Sequence, residues 1–147
     1  MNHILDRPAW NALATVHADF AEGPALARRY LPSIVPFAAA ADSSPESLAA
    51  LASLPGASEI MVLVEADPIA SAPGLETVTE AILVQMVAEH PFERLEDPRI
   101  EKLAPDDAAE MLALASLTKP GPFTLGAQSL GTFWGIRHDG RLVAMAG

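Results

Sequence analysis

Few side chains in this sequence have the type and spacing of a chemical site. There are four histidines, His3, His17, His90 and His138. A metal centre needs several converging ligands, and no two of these stand four apart as in the zinc-protease helix. No metal ligand set is therefore expected. His17 shares a helical stripe with Trp10 and Phe20 and reads as a partly buried structural histidine, whereas His138 falls in a turn and reads as solvated. Cysteine is absent, which excludes thiolate nucleophiles, disulfides and cysteine-bound zinc. The carboxylates Glu93, Glu96 and Asp97 lie in the stretch EHPFERLEDP, where nothing is visible to desolvate them. Without burial a carboxylate has no reason for a shifted pKa, so these read as a solvated connector. Asp106, Asp107 and Glu110 stand at a helix start, where negative charge is favourable in itself. Neither a Gly-x-Ser-x-Gly elbow nor a P-loop occurs.

Two short stretches could bind a ligand. The first is Lys119, Pro120, Gly121, Pro122 and Phe123, which must be a loop. Phe123 could form an apolar wall that the two prolines stiffen, because loops on rigid scaffolds often carry binding residues. The alternative is a rigid connector whose Phe packs into the core. The second is Gln128, Ser129, Leu130, Gly131, Thr132 and Phe133, which has the spacing of a glycine-containing anion cradle. Phe133 stands where a small residue is needed for backbone approach, and a strand is expected next rather than a helix. That reading is rejected.

These residues need a scaffold, and the composition supports one. Half of the 147 residues are hydrophobic and 19% are charged, which suits a packed domain or two small ones. The net charge of −10 would repel a phosphate backbone, so no nucleic-acid partner is expected. The longest tidy apolar run, 60–64, is too short to cross a bilayer. Residues 1–7 lack a basic region followed by an apolar stretch, so no secretory signal is expected. Together these features lead to the expectation of a cytoplasmic protein without a membrane partner.

Thirteen prolines mark the element boundaries. Residues 8–20 are predicted as a helix capped by Asp6, with Pro8 in its first turn. Residues 25–41 contain Pro32 and Pro36 and are predicted as extended, with an edge strand as the natural place for them. A second helix is predicted over 45–54. Ser43 and Glu46 have capping-box spacing, and Ser44 with Pro45 forms the competing start. Residues 59–65 and 77–87 read as strands from their β-branched, apolar character, with a surface loop over 67–74 between them. Residues 89–98 form the best boundary. After it come a short strand over 100–103 and a helix whose stripe is Met111, Leu112, Leu114, Ala115 and Leu117, with Asp107 and Glu110 at capping spacing. Strands are predicted over 132–137 and 142–146, joined by a tight turn at Asp139 and Gly140.

From Ile100 onward the chain resembles the opening of the GNAT superfamily core. The residues that carry the resemblance are DDAAEMLALASLTKPGPF, similar to that family's first helix and following loop, and GIRHDGRLVAMAG, similar to its second and third strands. LVQMVAE, 83–89, is similar to the end of an extra N-terminal domain found in bacterial members. The resemblance implies an α+β (α/β) fold, with an N-terminal mixed α/β domain over 1–95. The first half of a GNAT core would occupy 96–147, as strand, helix, loop or short helix and β-hairpin in an incomplete sheet. It further implies an N-acyltransferase that moves an acyl group, acetyl in the simplest case, from acyl-CoA to a small-molecule or peptide amine. Lys119, Gly121, Pro122 and Phe123 would stand on the acceptor side. In that family the next strand leads to a glycine-rich turn that holds the cofactor pyrophosphate, and this sequence stops before it. The 147 residues alone are thus expected to be inactive and to lack tight cofactor binding, with the catalytic residues lying further on. The last strand would be an open edge that invites a second copy or a complementing chain. A non-catalytic regulatory or dimerisation module is the alternative.

Overall fold

The computed structural model describes residues 3–90 and 96–147. Glu93, one of the three connector carboxylates, lies outside them, as does the middle of the predicted boundary.

The N-terminal half begins with α1, Pro8–Ala14. Pro8 occupies its first turn, as its fixed φ favours. Arg7, not Asp6, is the N-cap residue, and no side chain caps the helix. The Asp6 carboxylate instead accepts from the His3 N–H at 2.6 Å. The helix also ends six residues earlier than predicted. The Thr15 hydroxyl donates back to the Asn11 carbonyl, the His17 N–H donates to Ala12, and the chain turns before a 3-10 turn at Ala18–Phe20. Thr back-bonding of this kind weakens a helix.

The predicted extended run holds two strands. β1, Ala21–Glu22, β2, Ala27–Tyr30, and β3, Ala38–Ala40, form an antiparallel sheet in the order β1-β2-β3. β2 is therefore central, and β3 lies at the edge of the sheet. Pro32 and Pro36 fall between β2 and β3, where no ladder N–H is lost. α2, Pro45–Ala52, packs on this sheet. Ser44 is its N-cap and accepts from the Ser47 N–H, so Ser44 with Pro45 is the true start and Ser43 is not. Leu51, Ala27, Ala38 and Ala40 make the core beneath it.

Residues 59–65 do not form the predicted strand. Val62 makes a single parallel bridge to Phe37, with the Ala38 N–H donating to Val62. Arg7 ties this segment down by donating to Glu65 at 2.7 Å and to the carbonyls of Ala40 and Ala41. Residues 77–87 form no strand either: they have no ladder partner among the described residues.

The C-terminal half follows its prediction more closely. β4, Ile100–Lys102, pairs antiparallel with β5, Trp134–His138, which pairs antiparallel with β6, Arg141–Ala146. Asp139 and Gly140 both have positive φ, 50° and 77°, the geometry of the type I′ turn that their dipeptide favours. α3, Ala108–Thr118, lies on one face of this sheet and buries Met111 against Leu103 and Leu142. Asp107 and Glu110 do not form a capping box on α3. Asp107 accepts from the Ala104 N–H and caps a preceding 3-10 turn, Pro105–Asp107. Both carboxylates instead meet Arg137 of β5, which also reaches Glu101 at 2.7 Å.

Candidate active site

A cleft of about 300 Å³ lies beside the C-terminal sheet. Leu103 at the end of β4, Met111 of α3 and Phe133 ahead of β5 supply its apolar wall. Gln128, Ser129 and Thr132 supply polar groups, and Lys102 adds the one formal charge. These residues come from three elements and a loop, so no local spacing in the sequence marks them as a set.

The loop is the part that most needs support. Residues 127–130 form a 3-10 turn, Ala127–Leu130, and the N-terminal half holds it in place. The Thr124 hydroxyl lies 2.8 Å from the Ser33 carbonyl and 2.6 Å from that of Ile34, and it accepts from the Gly126 N–H. His17 stands between Tyr30 and the loop: Nδ1 is 2.8 Å from the Tyr30 hydroxyl, and Nε2 is 3.2 Å from the Leu130 carbonyl. A neutral ring with its proton on Nε2 satisfies both, donating to Leu130 and accepting from Tyr30. His17 also meets Phe20 and Tyr30 edge-on, at 5.8 and 5.7 Å between ring centres. It is thus a half-buried structural histidine, joined to a loop 113 positions away. Burial raises the pKa of the Tyr30 hydroxyl above its ordinary value. Ala127 completes a core cluster with Leu13, Tyr30, Ile34 and Val35.

The loop residues singled out from the sequence sit beside this cleft, not in its lining. Lys119 ends α3 in the left-handed conformation, φ 50° and ψ 52°, and its N–H donates to Ala115 at 2.7 Å. Gly121 and Pro122 are exposed. Phe123 is half-buried and packs against both the His17-side cluster and the Met111 cluster. Its ring meets Phe133 at 87° with centres 5.8 Å apart, so it supports a cleft wall from behind.

Other charged groups serve the framework. The Leu142 N–H and then the Arg137 guanidinium hold the Glu110 carboxyl below its usual pKa. A smaller cleft of about 160 Å³ is lined by Arg29, Tyr30, Glu59 and Met61 among others. There Arg29 pairs with Glu22 at 2.6 Å, and its Nη1 lies 2.8 Å from Glu59 at an angle that does not make a hydrogen bond. Among the described residues no three His, Asp or Glu side chains converge as a metal site would require. No helix among them is long and apolar enough to cross a membrane.

This arrangement has a counterpart among solved structures. The crystal structure of a candidate acetyltransferase of the GNAT family from Novosphingobium aromaticivorans DSM 12444 superposes with a TM-score of 0.89 and is 42% identical over 99% of the chain. The chain is similar to a GNAT acetyltransferase. It spans 64% of the length of that protein. No family model and no curated protein matches it.

A GNAT fold implies a coenzyme A thioester, whose pyrophosphate needs a run of free N–H groups at a loop that opens a helix. The stretch with that glycine spacing, Gln128–Phe133, does not fit that need. At Gln128–Phe133 a 3-10 turn passes through Gly131, in extended conformation, into β5, and no helix opens there.

Proposed function

We propose that this chain is the front part of a GNAT-type N-acyltransferase that moves an acyl group, acetyl in the simplest case, from acyl-CoA to a small-molecule or peptide amine. The observation that carries this reading is the antiparallel order β4-β5-β6 with α3 packed on one face, in a chain 42% identical to a GNAT-family protein. Residues 1–95 would form an N-terminal mixed α/β domain and 96–147 the opening of the transferase core, in a cytoplasmic protein. The cleft between α3, the 3-10 turn and β5 would receive the amine, with Leu103, Met111 and Phe133 against its apolar part and Gln128, Ser129 and Thr132 orienting its polar part. The loop of Lys119, Gly121, Pro122 and Phe123 would border the acceptor's path. Holding an amine in one orientation against a thioester is where such a site gains most of its rate. The groups that hold the thioester, and those that move the proton, would come from a segment following β6.

Thermal unfolding with and without acetyl-CoA tests the reading. A longer protein, translated through the codons that follow Gly147, is expected to gain about 2.7 kcal/mol at a hundredfold excess over the dissociation constant. The 147-residue chain is expected to stay flat. No response from the longer protein would sink the acyltransferase assignment and leave a non-catalytic interaction module as the better description.

A further inference from the structure

Residues 77–87 carry a contradiction between composition and surroundings. Their apolar side chains fall on both faces of an extended chain, with Val78, Ile82, Val84 and Met86 on one and Leu83 and Val87 on the other. A short, nearly continuous apolar run of β-branched character belongs to a strand covered on both faces. Yet Ile82 is 98% exposed, Met86 88%, Val84 85% and Val78 74%. Among the described residues no hydrogen bond reaches any backbone group between 76 and 90. An extended segment this apolar, with its N–H and C=O groups unpaired, is half of a sheet.

We infer that residues 77–87 are a β-strand whose partner is polypeptide lying beyond the 147 residues in a longer form of this same protein. The inference rests on the reading of the chain as the front part of an acyltransferase. The length of the Novosphingobium protein argues for this occupant: the chain spans 64% of it, so more than a third of that molecule has no counterpart here. A second uncovered surface points the same way. β4 and β5 turn Ile100 and Trp134, which face the same side as Ala144 and Ala146 of β6, away from α3 and into solvent. A symmetric contact between two copies that paired 77–87 with itself would leave this sheet face open. One continuing segment can both add a strand beside 77–87 and lay further elements on the open face.

Hydrogen exchange read by mass spectrometry on the peptide spanning 77–87 tests this. In the 147-residue chain, at a concentration where sedimentation shows monomer, these amides exchange at the unprotected rate. In the longer protein they slow by at least ~100-fold, as ladder amides do. Val84→Asp is expected to lower the Tm of the longer protein and leave that of the 147-residue chain unchanged. Protection in the short chain that grows with its concentration would assign the strand to a second copy and overturn the inference. Fast exchange in the longer protein, or a reading frame that closes at Gly147, would overturn it as well. Acetyl-CoA is read separately: a longer protein that gains stability with acetyl-CoA yet leaves 77–87 unprotected refutes the strand alone. One that protects 77–87 without responding to acetyl-CoA refutes the acyltransferase reading and supports the strand.

Discussion

Gly126 stands where the two halves of the chain pack against each other, and Gly126→Ala offers a sharp test of how they are joined. Its φ is −83°, which any residue adopts, so the cost of a side chain there is spatial. A Cβ would stand 2.4 Å from the Ser33 carbonyl oxygen and 3.3 Å from the Ile34 Cα, both backbone atoms that cannot swing aside. The loop must back away, which costs about 1–3 kcal/mol as overpacking does. Retreat also weakens the single Thr124 hydroxyl donation that the Ser33 and Ile34 carbonyls share, at about 1 kcal/mol. Against this, alanine restricts the unfolded chain and returns about 0.4–1 kcal/mol. The net expectation is a loss of about 1–4 kcal/mol, or roughly 3–12 °C in Tm for a chain of this size. Gly131→Ala is the control, since its φ of 172° is ordinary extended backbone and nothing lies within 4 Å of the added carbon. Urea titration followed by fluorescence is well suited, because Trp10 and Trp134 report on opposite halves. If the midpoints of the two variants agree to within about 0.5 kcal/mol, the packing of 124–130 on Ser33 is wrong.

Met111 is 1% exposed and Leu117 79%, although both were assigned to one helical stripe. Met111→Ala should therefore cost about 2–5 kcal/mol and Leu117→Ala less than about 0.5 in the same titration. Ser44→Ala should lower stability by about 1 kcal/mol through loss of the α2 cap, whereas Ser43→Ala should leave the melting temperature unchanged. For Glu110, the folded pKa lies below the unfolded one, so its contribution is complete above pH ~4.3 and disappears as pH falls through the folded value. Melting curves of Glu110→Gln and the parent should thus differ most near neutrality and converge in acid; a gap independent of pH would contradict the Leu142 and Arg137 contacts.

The elements that were legible in the sequence are those whose cause is local. Asp139 with Gly140 can adopt two successive positive φ values, and that fixed the hairpin wherever the rest of the chain went. α3 carries enough apolar residues at helical spacing to be recognised alone. Strands over 59–65 and 77–87 were not secure, because β-branched composition predicts an extended chain but not a partner for it. Val62 finds Phe37 for one bridge, and 77–87 finds no partner among the described residues. The first helix was overdrawn because His17, in phase with the stripe, is drawn instead to Tyr30 and Leu130. The candidate cleft was least legible of all. Lys102, Met111, Gln128 and Thr132 share no spacing that would group them, and Phe123 was noticed for the loop it closes, not for the Phe133 ring it supports.

The grip of Thr124 on the Ser33 carbonyl spans 91 positions, and this imposes an order on the birth of the molecule. At a translation rate of about 5–20 residues per second, Ser33 is made roughly 5–18 seconds before the residue that will seal it. In that interval its carbonyl and that of Ile34 can be satisfied only by water, and Leu13, Tyr30 and Val35 wait with one side of their cluster open until Ala127 arrives. The nascent N-terminal half is therefore left for several seconds with an open apolar flank where residues 124–127 will dock, a flank for a chaperone to shield.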